Sequence, residues 1–169
     1  MATAYRRAAL SDVLVLAETV RLGFEGYRAW APAGWDPPHP ALDIARIRQD
    51  LARPDTWCVL AEDDGAVAGH ASFTPARTRT GVSIPIEGLA HLWMLFVREP
   101  WWGTGLATEL LEMAVAEARA RAFTEMRLET PAGQARARAF YEREGWRVRG
   151  GPVYAPMLGL EIVEYRRRL

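Results

Sequence analysis

The chain has 169 residues, of which 50% are hydrophobic and 25% are charged. This composition is typical of a folded globular domain and excludes a disordered chain. Lysine plus arginine and aspartate plus glutamate each number 21, so no overall field favours nucleic acid or an acidic membrane surface. We therefore expect a single domain over residues 1–169 that binds neither nucleic acid nor membrane.

The N-terminal residues and the one cysteine indicate the cellular compartment of the protein. Met1–Leu10 has no apolar core of signal-peptide length, and no apolar run approaches the length of a membrane span. Cys58 cannot form an internal disulfide, and its apolar neighbours predict a buried thiol in a strand. Together these features predict a cytoplasmic protein.

Hydrophobic periodicity and turn residues predict mixed secondary structure in the first half of the chain. Four prolines between Trp30 and Pro40 exclude regular structure there. In chain order we predict a strand at Ala4–Ala8, a helix from Asp12 to about Gly26, a loop at Trp30–Pro40, a helix at Ala41–Leu51, a hairpin of Trp57–Glu62 and Ala66–Thr74, and a loop or irregular hairpin extension at Pro75–Gly88.

The second half alternates strands and helices. Leu89–Val97 is almost continuously apolar, which is typical of a central strand covered on both faces. The remaining predicted elements are a helix at Gly105–Arg121, a strand at Glu125–Thr130, a helix at Gln134–Glu144, and closing strands at Trp146–Val148 and Leu160–Arg167 around a Gly/Pro-rich turn.

A glycine-containing turn joins the central strand to the helix that follows it. Leu95, Phe96 and Val97 lead through Trp101 into Gly103-Thr104-Gly105 and then into an amphipathic helix. Glycines allow successive backbone N–H groups to converge, and a helix N-terminus adds partial positive charge, so the turn could bind a pyrophosphate or merely connect two elements. The missing Gly-Lys-Ser/Thr disfavours a Walker P-loop, and the incomplete Gly-X-Gly-X-X-Gly spacing disfavours a Rossmann turn.

Two sequence motifs resemble those of a known protein family. Trp102–Ala107 resembles the acetyl-CoA motif Gln/Arg-X-X-Gly-X-Gly/Ala of the GCN5-related N-acetyltransferase (GNAT) family. Gln134–Tyr141, followed by Gly145-Trp146, is similar to the second family motif, Asn-X-X-Ala-X-X-apolar-Tyr and then Gly-aromatic. The sequence departs from the family at Trp102, where Gln or Arg is usual, and at Gln134, where Asn is usual.

The resemblance implies an α/β fold with a mixed, mostly antiparallel central sheet of six or seven strands, flanked by about four helices. It implies acetyl-CoA as cosubstrate, no metal, and possible pairing into a homodimer through the C-terminal strands. The residues it implies for acetyl-CoA binding are Leu95, Phe96, Val97, Trp102, Gly103, Thr104, Gly105, Leu106, Ala107, Gln134 and Tyr141.

The reaction needs a neutral amine, a donor to the oxyanion and a proton for the departing thiolate. Tyr141 matches the family tyrosine that protonates the CoA sulfur, although it could instead only pack beside Phe140. Glu129 corresponds in spacing to a base glutamate proposed in ribosomal-protein alanine acetyltransferases, and a solvated or Arg127-paired carboxylate is the alternative. Glu87 and His91 are competing bases, and a satisfied core histidine is the commoner role for a residue placed like His91.

For the acceptor, Trp30 and Trp35 predict an aromatic pocket to which His91 could contribute. This favours acetyl transfer to a primary amine of a small molecule. The alternatives are a protein N-terminus as acceptor, a non-catalytic acyl-CoA-binding relative, and a nucleic-acid module that uses Arg136–Arg149 and the arginines near the C-terminus.

Overall fold

The computed structural model describes residues 3–169, so the first two residues of Met1–Leu10 lie outside it. The α-helices are α1 (Val13–Glu25), α2 (Pro40–Leu51), α3 (Leu106–Ala120) and α4 (Ala135–Arg143). The strands are β1 (Ala4–Arg7), β2 (Trp57–Asp63), β3 (Ala66–Arg77), β4 (Pro85–Val97), β5 (Glu125–Pro131), β6 (Arg147–Ala155) and β7 (Leu160–Arg168).

All seven strands form one sheet in the order β1-β2-β3-β4-β5-β7-β6. Of the neighbouring pairs, β4 and β5 run parallel and the others run antiparallel. The parallel pair needs a crossover, which α3 supplies. This architecture confirms the predicted mixed, mostly antiparallel sheet with four α-helices.

Two apolar clusters cover the two faces of the central strands. On one face α3 and α4 pack against the sheet through Leu110, Leu111 and Tyr141. On the other face α1 and α2 pack through Leu16 and Ile47. A strand covered on both faces must be apolar along its whole length, and this explains the near-continuous apolar sequence of β4.

Cys58 lies in the α1–α2 cluster with 1% of its surface exposed, which confirms the predicted buried thiol. Burial raises the pKa of this thiol to about 12, so it stays protonated and unreactive at neutral pH. Within residues 3–169, no helix has both the length and the apolar character that crossing a bilayer requires.

Two regions that their sequences left irregular contain strand pairing. For Pro75–Gly88 the predicted irregular hairpin extension is the correct alternative, because β3 continues to Arg77 and β4 begins at Pro85, and these two residues pair. The closing strand predicted at Trp146–Val148 runs on as β6 to Ala155 and pairs with β7. In both cases pairing with the next strand of the chain overrides local Gly, Pro and Thr signals for a turn.

Candidate active site

Strands β4 and β5 separate part-way along their length. Their pairing ends at Leu92 opposite Leu128. Beyond that point β4 stays paired with β3 as far as Val97, whereas β5 stays paired with β7. The two strands therefore leave a gap in the sheet, and the backbone of Leu95–Val97 borders it.

A β-bulge marks the start of this gap. Ser72 lies opposite Met94 and the next residue of β3, Phe73, lies opposite Leu92, so Trp93 is an extra residue in β4. A bulge bends its strand and increases the local twist. Its position next to the last β4–β5 pair gives a physical reason for the divergence of the two strands.

The turn between β4 and α3 has the geometry that an anion-binding turn requires. Gly103 and Gly105 have φ values of 79° and 92°, and a Cβ at either residue would meet no atom within 4 Å. The Thr104 hydroxyl donates to the Trp101 carbonyl at 2.8 Å and stabilises the turn. Because α3 begins at Leu106, the free N–H groups of its first turn lie here, so the open turn fits a pyrophosphate.

The two tryptophans before the turn have different partners. Trp101 donates from Nε1 to Asp63 at 2.9 Å, which attaches the turn to the β2–β3 hairpin. Trp102 donates from Nε1 to the Val97 carbonyl at 2.7 Å, and the Arg136 guanidinium stacks 4.0 Å above its ring. Trp102 thus joins the end of β4 to helix α4 without using the N–H groups of Gly103 or Gly105.

Gln134 and Tyr141 lie at the two ends of α4. Gln134 is the N-cap of the helix, and its side-chain oxygen accepts the Ala137 N–H at 2.7 Å. Tyr141 is buried, and its ring packs against Phe140 and Trp146. Burial, assisted by the nearby Tyr27, raises the pKa of Tyr141, so its hydroxyl remains a proton donor throughout the neutral range.

An aromatic cluster reaches the gap from the opposite face of the sheet. Tyr27, just beyond α1, packs against Trp30 and Trp35 with ring centroids 4.8 and 6.0 Å away. Trp30 lies against Gly133, directly after β5. Trp35 donates from Nε1 to the Leu158 carbonyl at 2.8 Å in the β6–β7 turn. The two tryptophans predicted for the acceptor pocket therefore both pack against Tyr27, which is near enough to Tyr141 to help raise its pKa.

The three candidate bases lie in different surroundings. Glu129 is the first β5 residue beyond the last pair with β4, and Arg79 binds its carboxylate together with that of Glu164. Glu87 is exposed near the start of β4, roughly 25 Å from Leu95 at the usual rise of a strand, and is not brought near Tyr141. Burial and nearby arginines, above all Arg127, lower the pKa of His91 to about 3, so its ring is neutral.

Sequence reasoning missed two contributors to this region. Tyr27 is three residues before Trp30, and this helical spacing could have indicated that both rings face the same side. Arg79 is 50 residues from Glu129 and 85 from Glu164, so no local pattern could have indicated that it binds both.

Comparison with known proteins agrees with this geometry. Residues 24–146 match the family model described as acetyltransferase (GNAT) family. The chain belongs to the GNAT acetyltransferase family. No curated protein matches the chain in sequence. Within residues 3–169, no three His, Cys, Asp or Glu side chains are grouped so that they could hold a metal ion.

Solved structures of GNAT proteins share the fold over nearly their whole length. An acetyltransferase from Desulfovibrio desulfuricans is 23% identical, with a TM-score of 0.75 and 99% of each chain covered. PaiA N-acetyltransferase from Thermoplasma acidophilum, solved with coenzyme A, is 16% identical, with a TM-score of 0.68 and coverage of 97% of this chain and 98% of that one. A ribosomal-protein-alanine N-acetyltransferase from Brucella melitensis is 20% identical, with a TM-score of 0.71 and coverage of 98% and 99%.

Proposed function

We propose that this GNAT protein transfers an acetyl group from acetyl-CoA to the primary amine of a small molecule by direct attack on the thioester. The observation that carries the proposal is the gap between β4 and β5. It has the open glycine turn and the α3 N-terminus at one end, Tyr141 on one face, and the Trp30–Trp35 cluster on the other face.

Acetyl-CoA supplies a thioester carbonyl that a neutral amine can attack. The backbone of Leu95–Val97 lines the gap and would orient that carbonyl. The turn residues Gly103–Ala107 would bind the pyrophosphate through their N–H groups. Trp102 supports this turn from the end of β4, and Gln134 contributes by fixing the start of α4, because its oxygen is already bound within the helix.

Tyr141 would move the proton that completes the reaction. As the C–N bond forms and the C–S bond breaks, the phenol donates its proton to the sulfur, while the amine loses a proton to a base. A phenol whose pKa is raised by burial donates well only to a sulfur held against it, and its buried position at α4 suits that task. Glu129 is the base we propose, because it follows the last β4–β5 pair directly.

Trp30 and Trp35 would form the acceptor pocket, and contacts with other elements hold both side chains in place. Trp35 ties the α1–α2 segment to the β6–β7 turn, and Trp30 packs against the end of β5. Aromatic walls of this kind bind the apolar part of a small amine. His91 lies on the same side of the sheet as α2 and is neutral, so it would not repel an ammonium group.

The test is thiol release from acetyl-CoA with a panel of primary amines, amino acids and peptides with free N-termini, with product masses measured in parallel. We expect amine-dependent thiol release and a product that is one acetyl group heavier. Transfer to peptide N-termini alone would replace the small-molecule acceptor by a protein. Binding of acetyl-CoA without transfer to any amine would indicate a non-catalytic protein and overturn the proposal.

A further inference from the structure

A large groove lies on the α1–α2 side of the sheet, beyond the edge of α2. Its volume is about 1050 Å³, and its walls come from α2, the β3–β4 hairpin extension, and strands β5, β7 and β6. Glu129, His91 and Trp93 also line it, so it opens beside the start of the gap between β4 and β5. Gly103–Ala107 and Tyr141 are not part of its lining, which separates it from the pyrophosphate turn.

The groove is strongly basic, although the charges of the whole chain sum to zero. Its three carboxylates, from Asp50, Glu129 and Glu164, face seven guanidinium groups, a formal excess of four positive charges. The seven are those of Arg46, Arg53, Arg77, Arg79, Arg127, Arg149 and Arg166. Because all acids and all bases of the chain number 21 each, this excess is a local arrangement and does not reflect composition.

Arg127 in the floor of the groove lacks a counter-ion. Only 8% of its surface is exposed, one Nη donates to the Arg77 carbonyl at 3.0 Å, and Nε has no partner. Within residues 3–169 the neighbouring carboxylates are bound by other arginines: Glu129 by Arg79, and Glu164 by Arg79 and Arg166. A buried guanidinium without an anion is costly, because its lost hydration is not replaced.

Glu164 and Glu129 lie near Arg127 and partly offset its charge, but burial and Arg79 outweigh them and lower its pKa. Across the sheet Arg127 lies opposite His91 on β4 and opposite Arg166 on β7. Like charges directly opposite each other destabilise a sheet unless an anion lies between them. His91 Nδ1 and Trp93 Nε1, also in the groove wall, are buried without a hydrogen-bond partner as well. Three unpartnered nitrogens from adjacent strands therefore border one basic groove.

We propose that the acceptor carries a carboxylate or phosphate group in addition to its amine, and that Arg127 binds this anionic group. Arg127 is two residues before Glu129 on β5, so the anion and the reacting amine would be about 7 Å apart at the rise of a strand. The inference rests on the proposed acetyl transfer. It narrows the acceptor to an amine with a negatively charged group at that distance.

The first experiment compares primary amines of equal chain length that end in a methyl, a carboxylate or a phosphate group. We expect kcat/KM to be at least about tenfold higher for one of the anionic series than for the neutral one, because a buried guanidinium binds an anion through charge-assisted hydrogen bonds. This advantage should decrease as salt is added. The preferred anion distinguishes a carboxylate acceptor from a phosphate one.

The second experiment tests Arg127 itself. Arg127→Gln should raise KM for the anionic acceptor at least about tenfold and leave kcat/KM for the neutral amine and acetyl-CoA affinity unchanged. Arg127→Lys should restore part of the loss. Arg119→Gln removes an exposed arginine of α3 outside the groove and should have no effect. Equal use of neutral and anionic amines by the wild type, with no change in Arg127→Gln, would overturn the inference and leave acetyl transfer intact.

A binding measurement separates the two proposals if no amine is acetylated. The anionic amine should raise the melting temperature of the wild type but not that of Arg127→Gln, and the neutral amine should raise neither. This result with no acetyl transfer would support the anion site and refute the proposed activity. No stabilisation of the wild type by either anionic amine at millimolar concentration would overturn the anion site.

Discussion

At the scale of single residues, Tyr141 is the side chain on which the proposed chemistry depends most directly. Tyr141→Phe keeps the ring that packs against Trp146 and removes only the hydroxyl. We expect kcat to fall about a hundredfold or more, the usual contribution of a general acid, and acetyl-CoA affinity to stay within a few-fold of wild type. Steady-state kinetics and calorimetry measure the two quantities.

The matched control is Tyr5→Phe, which removes a phenol hydroxyl from β1, where it binds Glu109. This variant should keep wild-type kcat. If Tyr141→Phe also kept wild-type kcat, the hydroxyl would have no catalytic role and Tyr141 would be a packing residue. The sequence motif alone left both roles open, because it gives the position of a tyrosine and not the direction of its hydroxyl.

Some residue-level properties could not be predicted from the sequence. Glu129 is one residue in a strand pattern, and only the fold brings Arg79 to it from 50 residues away. Gln134 matches the family position by alignment, yet its oxygen caps α4. Such contacts depend on side-chain geometry across the sheet, which hydrophobic periodicity does not contain.

At the scale of elements, the turn before α3 gives a prediction with an internal control. Gly103→Ala and Gly65→Ala place a Cβ at nearly the same positive φ, 79° and 78°, with no atom within 4 Å in either case. Each should cost roughly 1 kcal/mol of folding free energy through the backbone. Only Gly103→Ala should also weaken acetyl-CoA binding, by about tenfold, because the turn N–H groups must move.

Chemical denaturation and calorimetry on the two glycine variants separate stability from binding. Equal acetyl-CoA affinities for Gly103→Ala and Gly65→Ala would show that the turn only connects β4 to α3. The sequence predicted this turn correctly, because a positive φ strongly favours glycine and the glycines therefore indicate the turn. It could not distinguish a connecting turn from a binding one.

The link between the α1–α2 segment and the β6–β7 turn gives a second element-level prediction. Trp35→Phe keeps an aromatic ring and removes the indole N–H that donates to the Leu158 carbonyl. We expect a loss of about 1 kcal/mol of stability and a raised KM for the acceptor, with acetyl-CoA affinity unchanged. Kinetics with the acceptor varied measure this, and an unchanged KM would place the acceptor elsewhere.

Element boundaries were predictable where pattern and burial agree. The nearly continuous apolar run in β4 and the Asp-Gly turn of the β2–β3 hairpin gave the correct elements. Strand β6 was predicted too short because Gly150, Gly151 and Pro152 signal a turn, whereas the structure absorbs them in a register shift between Arg149 and Val153. A shift of this kind is specified by pairing with β7 and not by local sequence.

At the scale of the whole molecule, buried histidines make stability depend on pH. His70 is fully buried with both ring nitrogens unpartnered, and burial lowers its pKa to about 3. As the pH falls, His70 is therefore protonated near pH 6.5 in the unfolded chain but only near pH 3 in the folded chain. Stability contributed by the neutral ring is complete above about pH 6.5 and decreases by about 1.4 kcal/mol per pH unit below it.

His91 adds a second contribution of the same sign, because its pKa is also lowered to about 3. Denaturant titrations at pH 7 and pH 5 test this. Between pH 7 and pH 5 the wild type should lose about 2 kcal/mol of stability through His70, because the loss is about 1.4 kcal/mol for each pH unit below 6.5. His70→Leu should not show this part of the loss. His39→Gln, which replaces an exposed ring, should not change the difference. An unchanged acid sensitivity in His70→Leu would contradict this origin.

The fold of the whole molecule was the most predictable property, because two motifs in the correct order resemble those of the GNAT family and this resemblance implies the fold. The basic groove was the least predictable. Its seven arginines come from seven separate elements or turns, and the balanced net charge of the chain does not reveal them. Only the three-dimensional arrangement shows that they converge.

The measurement that tests the central claim most directly is calorimetric titration of acetyl-CoA into the wild-type chain at neutral pH. We predict saturable binding of one acetyl-CoA per chain, with CoA competing for the same site, because we propose that the gap, the glycine turn and the α3 N-terminus form one binding site. The absence of any saturable binding at millimolar acetyl-CoA would contradict the assignment of the β4–β5 gap as a cosubstrate site.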